Sequence, residues 1–236
     1  MGAALDRAEA AVDAGRVLRG TGFWPAVDVA RRDRAIAERY ADRIAAIDRR
    51  AFEHGVRLRV PAAAGIALLV IGTLAGAVAI AAAFFGWGGA LCGFDGPCRP
   101  KPWGASVSFI VGFGLVLVCT HSLTHLVVGR LVGIRFSHVF LGGPPPPRPG
   151  LKIDYASYLR TPPRARAVMH ASGAVVTKMI PFAFLGPAVL LYFGWTWLTW
   201  LMLGIGIIQI VTDVTISTKV SDWKKVSREL RAARGG

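Results

Sequence analysis

The chain has 236 residues, a net charge of +14, a hydrophobic content of 53% and a mean hydropathy of +0.48. That hydropathy excludes an ordinary soluble domain: four apolar runs, 61–86, 104–129, 167–193 and 194–218, each reach the roughly twenty residues needed to cross a bilayer. The charge argues against nucleic acid because it is segregated, with 12 Lys and Arg in residues 1–60, two in 87–103, seven in 130–166 and six in 219–236.

This alternation is the positive-inside pattern. It predicts an integral plasma-membrane protein with both termini and the 130–166 loop in the cytoplasm and loop 87–103 outside. The basic flanks would then face anionic lipid headgroups.

Residues 1–60 are expected to form a cytoplasmic amphipathic helical region. A short helix over 3–19 meets the breaker Gly20-Thr21-Gly22, and Phe23 and Trp24 suit a membrane interface. Over 25–53 the residues Ile36, Tyr40, Ile44, Ile47 and Ala51 make an apolar stripe at helical spacing. Such a helix could dock a partner, lie on the membrane, or pack on its own bundle. With about 60 mostly polar residues ahead of the first span, no secretory signal is expected.

Residues 61–225 are expected to form a four-span membrane domain, and 226–236 a basic tail. Span one follows Pro61, which suits a first helical turn, and carries Gly72-x-x-x-Gly76, a spacing that lets another helix approach. Cys92 and Cys98 share the loop assigned outside, where they are either a disulfide or two free thiols. Cys119 in span two suits a small packing residue.

Span two ends with His121 and His125, four apart and so on one helical face. Beyond it, residues 134–140 and 151–155 alternate weakly like strands, on either side of the proline run 144–147. They predict a small hairpin-like cytoplasmic insertion whose free edge could accept an extended peptide. Span three holds His170, Thr177, Lys178 and two prolines, Pro181 and Pro187. Trp195, Trp197 and Trp200 mark the outer interface before span four, which carries Asp213. The expected fold is an all-α polytopic membrane protein with about four transmembrane helices, a small β insertion and N-terminal amphipathic helices.

Ionisable groups at membrane depth are unfavourable by a few kcal/mol or more, so an intramembrane pair of histidines marks a functional site by default. His-x-x-x-His is the zinc half-site of the His-Glu-x-x-His enzymes, in which the Glu is the general base; Ser122 occupies that position here. Asp213 is the one acid within the four runs. His125 lies five residues before Arg130 and Asp213 six before Lys219. At ~1.5 Å per residue both sit about 8–9 Å from the cytoplasmic boundary. Two His and one Asp at one depth would make three protein ligands, with a water as the fourth. In the competing arrangement Asp213 pairs with Lys178 and the histidines hydrogen-bond within the bundle. Lys178 could also line a polar cavity or extend its stem toward water.

The stretch His121-Ser122-Leu123-Thr124-His125-Leu126-Val127-Val128-Gly129-Arg130-Leu131-Val132-Gly133-Ile134-Arg135-Phe136, running into Leu141-Gly142-Gly143, resembles the site-2 proteases, intramembrane zinc metalloproteases. His170-Ala171-Ser172-Gly173-Ala174-Val175-Val176-Thr177 looks like a degenerate form of that family's second core motif, and Asp213 takes the place of its third zinc ligand. The resemblance covers about residues 105–225. It implies zinc held by His121, His125 and Asp213, with His170, Thr177 and Lys178 around the site. Three departures stand against it: Ser122 for Glu, Thr177 for Asn, and Thr212-Asp213-Val214 in place of the family's Asp context.

Serine cannot act as a base at neutral pH. The resemblance therefore implies a zinc-binding pseudoprotease that holds transmembrane or membrane-proximal peptides. The alternative is an active zinc metalloprotease with a non-standard base, drawn from Asp154, Asp222 or His170. A haem or redox protein is a third class, disfavoured because histidines at i and i+4 cannot both be axial ligands of one haem.

Overall fold

The computed structural model describes residues 1–56, 58–85, 103–142, 148–192, 194, 196–215 and 221–235, with side chains except at 148, 214 and 235. Cys92, Cys98, the 144–147 proline run and Trp195 lie outside them. The architecture is all-α with one small sheet. By its internal contacts the chain divides into two compact units, one of residues 1–66, 125–171 and 224–236, the other of 67–124 and 172–223.

In the first unit, α1 (Gly2–Asp13), α2 (Phe23–Arg32) and α3 (Arg34–Gly55) come first. The helix expected over 25–53 is broken at Asp33, whose carboxylate accepts from the Ile36 N–H at 3.0 Å and caps α3. The stripe on α3 turns inward: Ile44 and Ile47 are fully buried, as are Leu5 of α1 and Phe23 of α2. Arg43 ties α3 to α1 through Glu9 (2.7 Å) and Asp6 (2.5 Å).

The sheet has the order β1 (Leu58–Pro61), β2 (Phe136–Gly142), β3 (Arg148–Ile153), antiparallel throughout. The second and third strands match the alternation in the sequence. The first does not: it is a four-residue edge strand that ends in Pro61, opposite His138, a position where proline is tolerated. Gly65 then lets the chain pass Val139, since a methyl there would lie 2.1 Å from the valine Cγ2.

Among the described residues three helical stretches are long and apolar enough to cross a membrane: α4 (Ala62–Phe85), α5 (Trp103–Leu131) and Pro163–Tyr192. The last comprises α7 (Pro163–Ala183) and α8 (Leu185–Tyr192), after the short α6 (Tyr155–Arg160). The fourth expected span is not among them. Its helix, α9 (Trp197–Thr215), begins only at Trp197, and Trp197–Asp213 counts as a shorter apolar helix. The basic tail is helical as α10 (Asp222–Gly235).

The second unit has its core in Phe109, Phe113, Ala188, Leu191, Leu198 and Met202. α4 and α5 touch backbone to backbone there. A methyl on Gly76 would lie 2.8 Å from the Gly112 carbonyl oxygen, and one on Gly112 would lie 2.6 Å from that of Gly76. Gly72 abuts Cys119 Sγ in the same way, so both glycines of the Gly-x-x-x-Gly pair are used and Cys119 is a free, buried packing residue. On the outside of α4, Leu68, Ile71, Leu74 and Val78 are exposed.

Candidate metal centre

His121 and His125 occupy successive turns of α5, one continuous helix, so the helix alone fixes their common face. The helix stops just beyond them. Gly133 takes φ +91°, and the Ile134 N–H returns to the Gly129 carbonyl at 2.8 Å, which closes α5 and releases the chain toward β2.

The hydrogen bonds of the two rings fix their tautomers. His121 Nδ1 lies 3.2 Å from the Gly173 carbonyl and 2.6 Å from Thr177 Oγ1. The threonine hydroxyl itself donates to the Gly173 carbonyl at 2.8 Å, so its proton is committed and it accepts from the ring. His125 Nδ1 lies 2.7 Å from the Met169 carbonyl. A carbonyl can only accept, so Nδ1 carries the proton on both rings, and in the neutral imidazoles the lone pairs are on Nε2. Outer hydrogen bonds of this kind orient ligating histidines in metal sites.

The carboxylate beside His121 is Asp222. Its Oδ2 is 3.7 Å from His121 Nε2, and the two side chains are 17% and 35% exposed. A lone pair facing a carboxylate at that distance is repulsive unless a proton or a cation lies between them. The donor set, imidazole and carboxylate, suits zinc.

Asp213, the third ligand expected from sequence, lies in a different pairing, and the acid grouped with the two histidines is Asp222. Asp213 forms an ion pair with Lys178, whose ammonium also donates to the Ala174 carbonyl at 3.3 Å and lies 5.8 Å from the Trp223 ring. Equal depth placed Asp213 near the histidines. What decides its partner is which side chain faces it across the bundle, and Lys178 has the reach. The earlier alternative, pairing of Asp213 with Lys178, is the arrangement found.

Thr177 is brought to the site, as the acceptor for His121. Ser122 is buried on α5, and the helix carries no carboxylate at that position. His170 belongs to a separate buried chain of hydrogen bonds. Tyr158 donates to Glu229 Oε1 at 2.9 Å, so its oxygen accepts from His170 Nε2, also at 2.9 Å. Glu229 meets Arg31 Nε at 3.1 Å and Arg166 Nε at 2.8 Å, and its side chain is fully buried. Burial and the neighbouring Glu229 carboxylate push the Tyr158 hydroxyl well above its ordinary pKa, which keeps it a donor. Sequence reasoning named Asp222 only as a substitute base, not as a ligand, and missed Glu229. The available signal for Glu229 was an acid in helical register with Val226 and Ala232 in an otherwise basic tail.

Comparison of the chain with protein-family profiles, curated proteins and solved structures gives no match.

Proposed function

We propose that this is an integral membrane protein of site-2-protease type that binds zinc through His121, His125 and Asp222 and holds membrane-embedded or membrane-proximal peptides without cleaving them. The membrane reading is supported by three long apolar helices with exposed apolar residues, which in water would leave a large unsatisfied surface. The observation that carries the metal reading is that one ligand atom each of His121, His125 and Asp222 lie within 4.8 Å of one another, with both imidazoles oriented through their Nδ1 hydrogen bonds.

A bound zinc would supply Lewis-acid polarisation and an acidified water. The chain's own part is to hold the two imidazoles in one tautomer, through Gly173, Thr177 and Met169, and to offer the Asp222 carboxylate. Proteolysis also needs a base, and Ser122 stands where the resemblance puts one. α5 carries no carboxylate of its own, and Asp222 of α10, committed as a ligand, does not serve as the base as well. The second reading, an active protease, is favoured only if Asp222 is the base and not a ligand.

Metal analysis of detergent-purified protein separates these readings. About one zinc per chain in wild type, lost in His121→Ala and Asp222→Ala and kept in Asp213→Asn, is expected for a three-ligand site. Loss in Asp213→Asn with retention in Asp222→Ala would overturn the assignment. Zinc retained in Asp222→Asn together with abolished cleavage of a transmembrane peptide would favour the active protease. Ser122→Glu tests whether cleavage is latent.

A further inference from the structure

The first unit contains a cavity of about 570 Å³ lined by Asp42, Arg49, Gly133, Arg135, Asp154 and Arg160, among others. A smaller one of about 220 Å³ adjoins it and shares Arg49, Arg135 and Asp154. The charges in this space are not balanced. Arg160 is spent on Asp42, with contacts of 3.0 and 2.6 Å, and on Glu38 at 3.6 Å. Asp154 is partly spent as well, since its Oδ2 accepts from the Ser157 N–H at 3.1 Å to cap α6. Arg49 reaches Asp154 Oδ1 at only 3.8 Å, and among the described residues the Arg135 guanidinium has no ion-pair partner. Arg49 and Arg135 thus both line this space, while its carboxylates are engaged elsewhere, Asp42 with Arg160, Asp154 with the Ser157 N–H and Asp48 with Lys152.

The cavity also has a defined place along the chain. Gly133 lies two residues past the end of apolar α5, and Pro162, another lining residue, immediately precedes α7. Both apolar stretches therefore end at its wall, the level at which lipid headgroups sit beside a spanning helix.

The geometry points to an anion site in which Arg49 and Arg135 hold a phosphate group, that of an anionic phospholipid headgroup or of a phosphate-bearing solute. Guanidinium forks match phosphate oxygens in pairs, and two of them give selectivity over a zwitterionic headgroup. The site is independent of the metal reading. Only its lipid source rests on the chain being a membrane protein.

The test is native mass spectrometry of delipidated full-length protein titrated with phosphatidylglycerol or phosphatidylcholine, beside calorimetric titration with inorganic phosphate. Wild type is compared with R49Q/R135Q and with R34Q/R39Q, which removes the same charge from exposed positions elsewhere on α3. Phosphatidylglycerol is expected to bind about tenfold or more tighter than phosphatidylcholine, to weaken about tenfold or more in R49Q/R135Q, and to change less than about twofold in R34Q/R39Q. Phosphate binding lost in R49Q/R135Q, without discrimination between the two lipids, would support the anion site and assign it to a soluble ligand. Equal affinities in wild type and R49Q/R135Q, or an equal loss in R34Q/R39Q, would overturn it. The second of those outcomes would leave only diffuse surface charge.

Discussion

Replacing Glu229 tests whether the buried polar network holds the first unit together. Its carboxylate is fully buried and meets three guanidiniums, two of them almost wholly enclosed, Arg31 at 4% and Arg166 at 1% side-chain exposure, with the more exposed Arg228 at 3.5 Å. At 2.8–3.1 Å and an effective dielectric of about 20, each of the two enclosed pairs attracts by roughly 5–6 kcal/mol, much of it offset by desolvation. Removing the anion leaves the Arg166 cation buried without its carboxylate and Arg31 with Asp28 alone, so Glu229→Ala is expected to cost about 3–5 kcal/mol. Glu229→Gln keeps an acceptor for the Tyr158 hydroxyl but not the charge, and should cost nearly as much. Tyr158→Phe removes only the hydroxyl that links His170 to Glu229, and should cost about 1–2 kcal/mol. Chemical denaturation in mild detergent, followed by protease accessibility of α10, reads these differences. Glu229→Gln within about 0.5 kcal/mol of wild type would refute the reasoning, because a net-stabilising charge network cannot be neutralised without loss.

Two further predictions follow from other contacts. Gly112→Val should destabilise the second unit by about 1–3 kcal/mol or more through overpacking, since even a methyl there would meet the Gly76 carbonyl at 2.6 Å; Gly114→Val, with nothing within 4 Å, serves as the control, and equal effects of the two would dismiss the close helix contact. The Glu9 carboxyl is held below its ordinary 4.5 by its hydrogen bond to Arg43. A depressed folded pKa means stability that is present above 4.5 and lost as pH falls through the folded value. Melting curves at pH 6 and in that acid window should therefore converge between wild type and Glu9→Gln on acidification. The effect is at most about 1 kcal/mol for so exposed a pair, and a gap that widens would reverse the sign.

The apolar runs, the α3 stripe, the alternating residues of β2 and β3 and the His-x-x-x-His face were all legible in the sequence, because each depends on spacing within a single element. Periodicity in a helix or strand is a local property, and residues four apart share a face whatever the rest of the chain does. The first strand escaped because four residues ending in Pro61 carry no period, and only pairing with β2 makes them a strand. Tertiary structure alone decided which acid meets which base. Asp213 lies near the end of α9 and Asp222 opens α10, and the sequence matched Asp213 to the histidines by depth, which is one coordinate. A carboxylate's partner is set by the distance between side chains on different helices. That distance gave Asp213 to Lys178 and Asp222 to His121, and it buried Glu229 between Arg31 and Arg166 in a tail that by composition is a solvated, basic helix.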